Sequence, residues 1–393
     1  MNTAISRREL TTGALLVATA AAILFAPVLS RMVGHAYDYI VHTELAAVML
    51  TKREVITPHF LFQALALAVH LVFPAPLDWT AFFVVLASTS ATAAIIFISL
   101  RHEGAAPVMA GVISATLLLS APVTLLALLD GHLYLGYIAT NVFHNPTILL
   151  LKPLALLSFM FMTRAFDGVE RARLSSILLC AGITVACVLS KPSFTICILP
   201  AAVLMMGLSR LNNRTFDSRL IWFGILLPAA VLLIAQYWFT YSQDQISGVY
   251  EGKSTIVLAP FAVMSVYSSW LLPKFILSLL FPLAVLLLHL KEAVSDRRLL
   301  LAWLAFAFGG GFTYLLAESG PRMYQGNFVW SGQITLFVLF ICSALFLLRH
   351  YGGSAREQER RWRLLVCQAL LLLHAASGII FYISEYIQTE RFW

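Results

Sequence analysis

The chain is short of charge. Only 11% of its 393 residues are Asp, Glu, Lys or Arg, against about 25% in a soluble domain. With 60% hydrophobic residues and a mean hydropathy of +0.86, it cannot cover a water-facing surface, and it is expected to be an integral membrane protein. It also lacks the marks of several chemistries. There is no CxxC pair, no HExxH and no Walker A loop. Its five cysteines, Cys180, Cys187, Cys197, Cys342 and Cys367, fall inside or at the edge of apolar runs. They read as small packing residues rather than disulfides or metal ligands. His35, His42 and His59 are not at a regular metal-ligand spacing. No cofactor is expected, and a divalent metal remains an alternative without an evident ligand set. The net charge of +7 does not point to nucleic acid, because basic residues on a membrane protein set its orientation and meet anionic headgroups.

What the chain does have is long apolar runs. A membrane helix needs about 20 mostly apolar residues. Spans are expected at 11–30, 79–100, 107–129, 148–163, 176–190, 193–208, 220–239, 272–290, 299–317, 331–349 and 364–383. The fold class is therefore all-α and polytopic, with about eleven transmembrane helices. The start, SRRELTTG, reads as a signal anchor kept as the first helix rather than a twin-arginine signal. Segment 60–73 is short and ends in Pro74-Ala75-Pro76. If it does not cross and the N-terminus is cytoplasmic, the basic loops TRAFDGVERAR, SRLNNRTFDSR and SAREQERRWR all face the cytoplasm, as the positive-inside rule requires. It is taken as a re-entrant or interfacial helix. The C-terminus is then non-cytoplasmic, and a bacterial inner membrane is the expected location. One transmembrane domain spans 1–393 with no soluble domain. Its outer loops are 32–78, 130–147, 240–271 and 318–330.

Polar chemistry gathers in those outer loops. Residues 32–59 hold Asp38, His42, Glu44 and His59. If 37–50 is helical, Asp38 and His42 lie one turn apart on one face, beside an apolar stripe of Tyr37, Val41, Leu45 and Val48. Such a helix lies along the membrane surface. It presents its polar face to a cavity, or it is an ordinary amphipathic helix with solvated charges. Glu44 falls towards the stripe.

The loop 130–147 carries Asp130, His132, Asn141, His144 and Asn145, followed by Pro146 and Thr147 opening a helix. Asn145 suits an N-cap and Pro146 the first helical position; a helix start also favours anions. Lys152 follows about a turn deeper, where it either snorkels outward or meets a lipid phosphate. In the loop 318–330, Arg322 offers a planar fork to a phosphate, with Glu318 to orient it. Lys191, in the short turn SKPS, is a further candidate for an anionic headgroup. Asp244, Tyr250, Glu251 and Lys253 lie in the long loop 240–271, which has the length of a mobile cover.

Tyr37-Asp38-Tyr39 in the first outer loop, followed by an amphipathic helix, and then Pro58-His59-Phe60-Leu61-Phe62 closing that loop, resemble the C-type (GT-C) glycosyltransferases. These membrane enzymes use polyprenyl-phosphate-linked sugar donors. Topologically the resemblance covers the first 130 residues. The chain departs from the family where two adjacent acids are common and Tyr37-Asp38 stands instead. The resemblance implies a transferase acting on the non-cytoplasmic face, with a polyprenyl-phosphate-linked sugar as donor and a glycan or lipid as acceptor. It implies Asp38 as general base supported by His42 or Glu44, and Lys152 and Arg322 as groups that neutralise the departing phosphate. Alternatives are an O-antigen polymerase or ligase type of transferase, a flippase or transporter for lipid-linked glycans, and an assembly subunit with no chemistry. Transporters place charges near the bilayer midplane on broken helices and often have repeated halves. Here the charges cluster at the outer boundary and no repeat is evident.

Overall fold

The computed structural model describes residues 6–168, 171–241, 254–351 and 361–387, and the backbone of 245–246 and 250–251. Asp244 and Lys253 of the expected cover loop lie outside the described residues, as do 388–393 of the tail. The helices in chain order are α1 (Arg7–His35), α2 (Tyr37–Lys52), α3 (Leu61–Val72), α4 (Leu77–His102), α5 (Pro107–Leu119), α6 (Ala127–Asp130), α7 (Pro146–Asp167), α8 (Leu174–Ser190), α9 (Thr195–Leu211), α10 (Ser218–Ile221), α11 (Leu227–Tyr241), α12 (Ala262–Tyr267), α13 (Leu271–Leu288), α14 (Leu290–Ser295), α15 (Arg297–Leu315), α16 (Val329–Tyr351) and α17 (Arg361–Ile387). A π-helical turn, Trp222–Leu226, joins α10 to α11 without a break.

Eight of these segments are long and apolar enough to cross a membrane: α1, α4, α7, α10–α11, α13, α15, α16 and α17. Helices α3, α5, α8 and α9 are apolar but shorter. The chain is an all-α multi-pass membrane protein, with two small antiparallel ribbons as its only described strands. One pairs β1 (Gln245–Ile246) with β2 (Tyr250–Glu251), the other β3 (Ile256–Leu258) with β4 (Leu316–Glu318). The second fastens the 240–271 loop to the end of α15, with Ile256 opposite Glu318.

Helix α1 begins with a capping box: Ser6 Oγ accepts from the Glu9 N–H at 3.1 Å and Glu9 Oε2 from the Ser6 N–H at 3.3 Å, satisfying donors that the helix start leaves open. Helix α4 runs antiparallel to α1. Gly13 packs against the Phe97 ring, and Phe25 shares a small pocket with Thr89 and Thr92. The end of α1 and the start of α4 therefore lie at the same end of the bundle. Helices α2 and α3 fill the return between them. Because α1 ends where α4 begins, the return through α2 and the twelve-residue α3 makes no net crossing. The reading of 60–73 as a non-crossing helix agrees with this geometry. Leu71, Val72 and Phe73 at its end are exposed.

The centre of the bundle is α16, with 89% of its most apolar window buried against 28% for α1. Small residues let α15 approach it. Gly309 sits against Ser331 and Thr335, and the Gly332 N–H donates to Thr313 Oγ1 at 3.1 Å. Hydroxyls in the apolar helices return their protons to the preceding turn. Ser88, Thr89 and Thr92, for example, donate to the carbonyls of Val84, Val85 and Ser88, so no water is needed there.

One expected span needs correction. The run 107–129 is not a continuous helix, because α5 ends at Leu119. Pro122 disfavours helix at the preceding residue and lacks a donor. The chain instead lies extended against α17. The Ala121 N–H donates to the His374 carbonyl at 3.1 Å, and the Ser377 hydroxyl donates to the Pro122 carbonyl at 2.7 Å.

Candidate active site

Helix α7 starts where the sequence places it. Asn145 Oδ1 accepts from the Ile148 N–H at 3.0 Å and from the Thr147 hydroxyl at 2.8 Å, and Pro146 takes the first helical position, where its missing N–H costs nothing. The other end of the same amide reaches out of the helix. Asn145 Nδ2 donates to Asp38 Oδ2 at 2.5 Å. Asp38 is half-buried, in the first turn of α2. The adjacent Tyr39 is fully buried, and its hydroxyl donates to the Phe143 carbonyl at 3.2 Å, fixing α2 across the mouth of α7.

Lys191, in the turn between α8 and α9, comes to the same place. It is 8% exposed. Its Nζ donates to Thr147 Oγ1 at 3.2 Å and stands 4.8 Å from the centre of the Trp330 ring. Burial pulls the Lys191 ammonium down to about 8, against the Asp38 carboxylate, which favours its charge. One turn along α2 from Asp38, His42 Nδ1 accepts from Gln63 Nε2 at 2.8 Å. Burial, then the positive Lys191 and the neighbouring His59, hold His42 well below the ordinary imidazole value. His59 is pushed down to about 3 by burial, then by Lys191 and Arg322. Both rings are thus neutral in a field set by two cations.

Around this centre stand His144, Tyr134 and Glu385. His144 Nδ1 is 3.7 Å from Glu385 Oε2, and its ring packs edge-on against Tyr134 with centres 5.1 Å apart. The Tyr134 hydroxyl accepts from Gln333 Nε2 at 2.8 Å, and burial raises the phenol above its ordinary range. On the loop after β4, Arg322 Nη1 lies 3.3 Å from Glu318 Oε1. Glu318 is itself held by the Tyr241 hydroxyl at 2.5 Å and by the Asn327 amide. Arg322 Nε and Nη1 are buried and make no hydrogen bond among the described residues.

The structure thus brings Asp38, His42, His59, His144, Asn145, Lys191 and Arg322 to one end of the bundle, with Glu318 holding Arg322. Other expected residues lie elsewhere. Glu44 points away and is exposed, with α2 turning its opposite side to the protein; it has no part in the Asp38 cluster. Asp130 is a structural anchor. Its Oδ2 pairs with the fully buried Lys274 Nζ at 2.5 Å and accepts from Ser268 at 3.1 Å, while Oδ1 accepts from the His132 N–H at 3.1 Å. Burial alone raises this carboxyl, but the Lys274 contact and the other hydrogen bonds bring it below the ordinary value. His132 follows Asp130 in that loop and is half-buried. Lys152 neither snorkels nor reaches the centre. It is buried two turns into α7, with Nζ donating to Asn141 Oδ1 at 2.5 Å and lying 4.6 Å from the Phe337 ring centre. Asn141 is in turn held by the Leu117 and Ser120 carbonyls at 3.0 and 2.7 Å.

Gln63, Tyr134, Gln333 and Glu385 were not singled out from the sequence. For Gln333 and Glu385 a signal exists, since a polar or ionisable residue inside an apolar helix is costly unless it has a partner or a task. Among the described residues, no three His, Cys, Asp or Glu side chains gather as metal ligands. Comparisons with family models, curated proteins and solved structures find no match.

The arrangement offers one carboxylate held by an amide, two cations, the capped start of a helix and two neutral imidazoles. Chemically, it can accept a proton at Asp38 and stabilise an anion beside Lys191 and Arg322.

Proposed function

We propose that the chain is an integral membrane glycosyltransferase of the C-type class. It moves a sugar from a polyprenyl-phosphate donor to a glycan or lipid acceptor on the non-cytoplasmic face of a bacterial inner membrane. The observation that carries this reading is the Asp38 carboxylate, held at 2.5 Å by Asn145 at the start of α7, with the buried Lys191 ammonium on the next residue but one, Thr147. A proton acceptor and an anion subsite side by side are what such a displacement needs.

In this reading Asp38 takes the proton of an acceptor hydroxyl as that oxygen bonds to the anomeric carbon of the sugar. The bond from that carbon to the phosphate oxygen breaks, and the electron pair leaves with the polyprenyl phosphate. Lys191 and the Arg322 guanidinium, which Glu318 orients, stabilise the charge that develops there. His42 and His59, both neutral, provide polar contacts without adding charge. Lys152 is left out of the phosphate subsite, because Asn141 holds it two turns deeper.

The topology that goes with this function has eleven crossings, counting α5, α8 and α9 with the eight long segments, and the N-terminus in the cytoplasm. Asp38, Lys191 and Arg322 then share the outer face. The test is to incubate purified protein with a panel of radiolabelled polyprenyl-phosphate sugars and a membrane lipid extract, running wild type beside Asp38→Asn. Transfer by wild type alone supports the reading. Equal transfer by both removes Asp38 from the mechanism. Tight donor binding with no transfer by either protein replaces the enzyme with a flippase.

A further inference from the structure

A second cavity lies at the other end of the bundle. It has a volume of about 410 Å³ and opens between the C-terminal halves of α4, α7 and α16. Asn145 caps the start of α7, and Arg164 at the cavity is 19 residues further along. The two sites are therefore separated by about 28 Å of helix rise. The cavity walls are apolar, with Ile95, Leu157, Met160, Ile341 and Leu345 among them, and Met160 is exposed on its outer side. A volume of this size is in the range of small-ligand pockets.

The rim is charged and mostly self-satisfied. Arg298 donates to Glu103 at 2.8 Å and to Asp167 at 2.9 Å; Arg349 donates to Glu103 at 3.0 Å and to Asp296 at 2.7 Å. Arg164 stands apart. It lines the cavity, is exposed, and makes no ion pair or hydrogen bond among the described residues. His102 is exposed beside it on the same rim. An apolar slot at the end of three membrane helices, with one unused guanidinium at its mouth, has the form of a seat for an amphiphile.

We propose that this cavity holds one acyl chain of an anionic phospholipid, with its phosphate on Arg164, in the leaflet opposite the Asp38 site. Arg164 is the guanidinium left for a headgroup phosphate, since Arg298 and Arg349 are already bound by Glu103, Asp167 and Asp296. The apolar walls select a lipid rather than a soluble phosphate, because water in the slot would find few polar partners. This inference does not depend on the glycosyltransferase reading.

The test is native mass spectrometry of the full-length protein released from detergent, after addition of phosphatidylglycerol, phosphatidylcholine with the same chains, or glycerol phosphate. Wild type is expected to retain one phosphatidylglycerol in preference to phosphatidylcholine, and not to retain glycerol phosphate. Arg164→Ala is expected to weaken phosphatidylglycerol retention about fivefold, the worth of one basic residue near a lipid surface. Leu157→Trp, which fills the slot, is expected to reduce retention of both lipids. Leu157→Phe serves the same purpose if the larger ring disturbs folding, which a thermal melt reveals. Unchanged phosphatidylglycerol retention in both the Arg164 and Leu157 variants overturns the proposal. So does glycerol phosphate competing as well as the lipid, which would make the site one for a free phosphate.

Discussion

The Asn145 side chain joins two elements that are 107 residues apart in the chain, capping α7 with its oxygen and donating to Asp38 Oδ2 at 2.5 Å with its nitrogen. A carboxylate held by a single amide keeps its remaining lone pairs for another proton donor. Asp38 is therefore oriented but not consumed by its partner. Asp130 is the contrast: its two oxygens are taken by Lys274, Ser268 and the His132 backbone. The same residue type serves as a candidate base in one place and as a clamp in the other.

The two roles of Asn145 can be separated. Serine caps a helix as well as asparagine does but cannot reach Asp38 with an N–H. Asn145→Ser is expected to keep the cap, to lose no more stability than the bond to the Asp38 carboxylate is worth, about 1.5–3 kcal/mol, and to lose transfer activity by about 10²-fold, the lower end of what a positioned base contributes. Asn145→Ala is expected to lose the same activity and, in addition, about 1 kcal/mol of stability with the cap. Equal activity in Asn145→Ser and wild type would detach the amide from the chemistry.

Lys191 sets an alkaline limit. Its value of about 8 means that the ammonium loses its proton as pH rises through 8, before donor binds. If Lys191 meets the donor phosphate, kcat/KM for the donor falls about tenfold per pH unit above that point, since this parameter reports the free enzyme. Lys191→Arg is expected to keep its charge and flatten that limb, because a guanidinium does not titrate there. The measurement is the initial transfer rate at low donor concentration from pH 6 to 10; a wild-type profile level to pH 10 sinks the assignment.

The paired imidazoles predict sensitivity to acid. His59 sits at about 3 and His42 below its ordinary value in the folded protein, while both titrate near 6.5 when unfolded. As pH falls below 6.5 the unfolded chain takes up protons first, so stability is full above 6.5 and is lost between there and 3. Thermal melts in detergent are expected to show a falling midpoint over that window. His59→Asn is expected to make the fall shallower; a slope unchanged by the substitution would place the acid-sensitive group elsewhere.

Much of this was legible from local rules. Apolar runs and flanking turns placed α4, α7 and α16 within a few residues of their ends, since hydropathy and Pro or Asn signals act on neighbours. The pairing of Asp38 and His42 on one face of α2 followed from helix period alone. What the sequence did not disclose was which polar groups meet across the bundle. Nothing local joins Asp38 to Asn145, Lys191 to Thr147 or Asp130 to Lys274, because each contact depends on how distant helices pack. Apolar composition also overran α5, where one proline at 122 outweighed a continuous hydrophobic run.

Of the three successive glycines at 309–311, Gly309 packs closely against Ser331 and Thr335 of α16, while nothing lies close to Gly311. Gly309→Ala therefore forces α15 away from α16 and is expected to cost about 1–3 kcal/mol, the usual penalty for overpacking. Gly311→Ala is expected to be neutral or slightly stabilising, since alanine is the better helix former. Melting midpoints of the two variants in the same detergent decide this; equal losses would mean that helix packing is not the cause.

Lys152 tests whether a buried cation here serves the substrate or the frame. Its ammonium is held by Asn141 and faces the Phe337 ring, with no carboxylate partner among the described residues. Replacing a buried charge by an apolar side chain of similar length is often neutral or stabilising, so Lys152→Met is expected to keep its melting midpoint or raise it. Asn141→Leu removes the acceptor and leaves the charge without a hydrogen bond, a loss of about 1.5–3 kcal/mol for a bond to a charged group. The double variant Asn141→Leu with Lys152→Met is expected to recover the part due to the stranded charge, while the bonds from Asn141 to the Leu117 and Ser120 carbonyls stay lost in both. Donor KM is expected to stay unchanged in Lys152→Met, because Lys191 and Arg322, not Lys152, stand at the Asp38 centre. A rise in donor KM with an unchanged melting midpoint would instead return Lys152 to the phosphate subsite and require a path from the outer face two turns down α7.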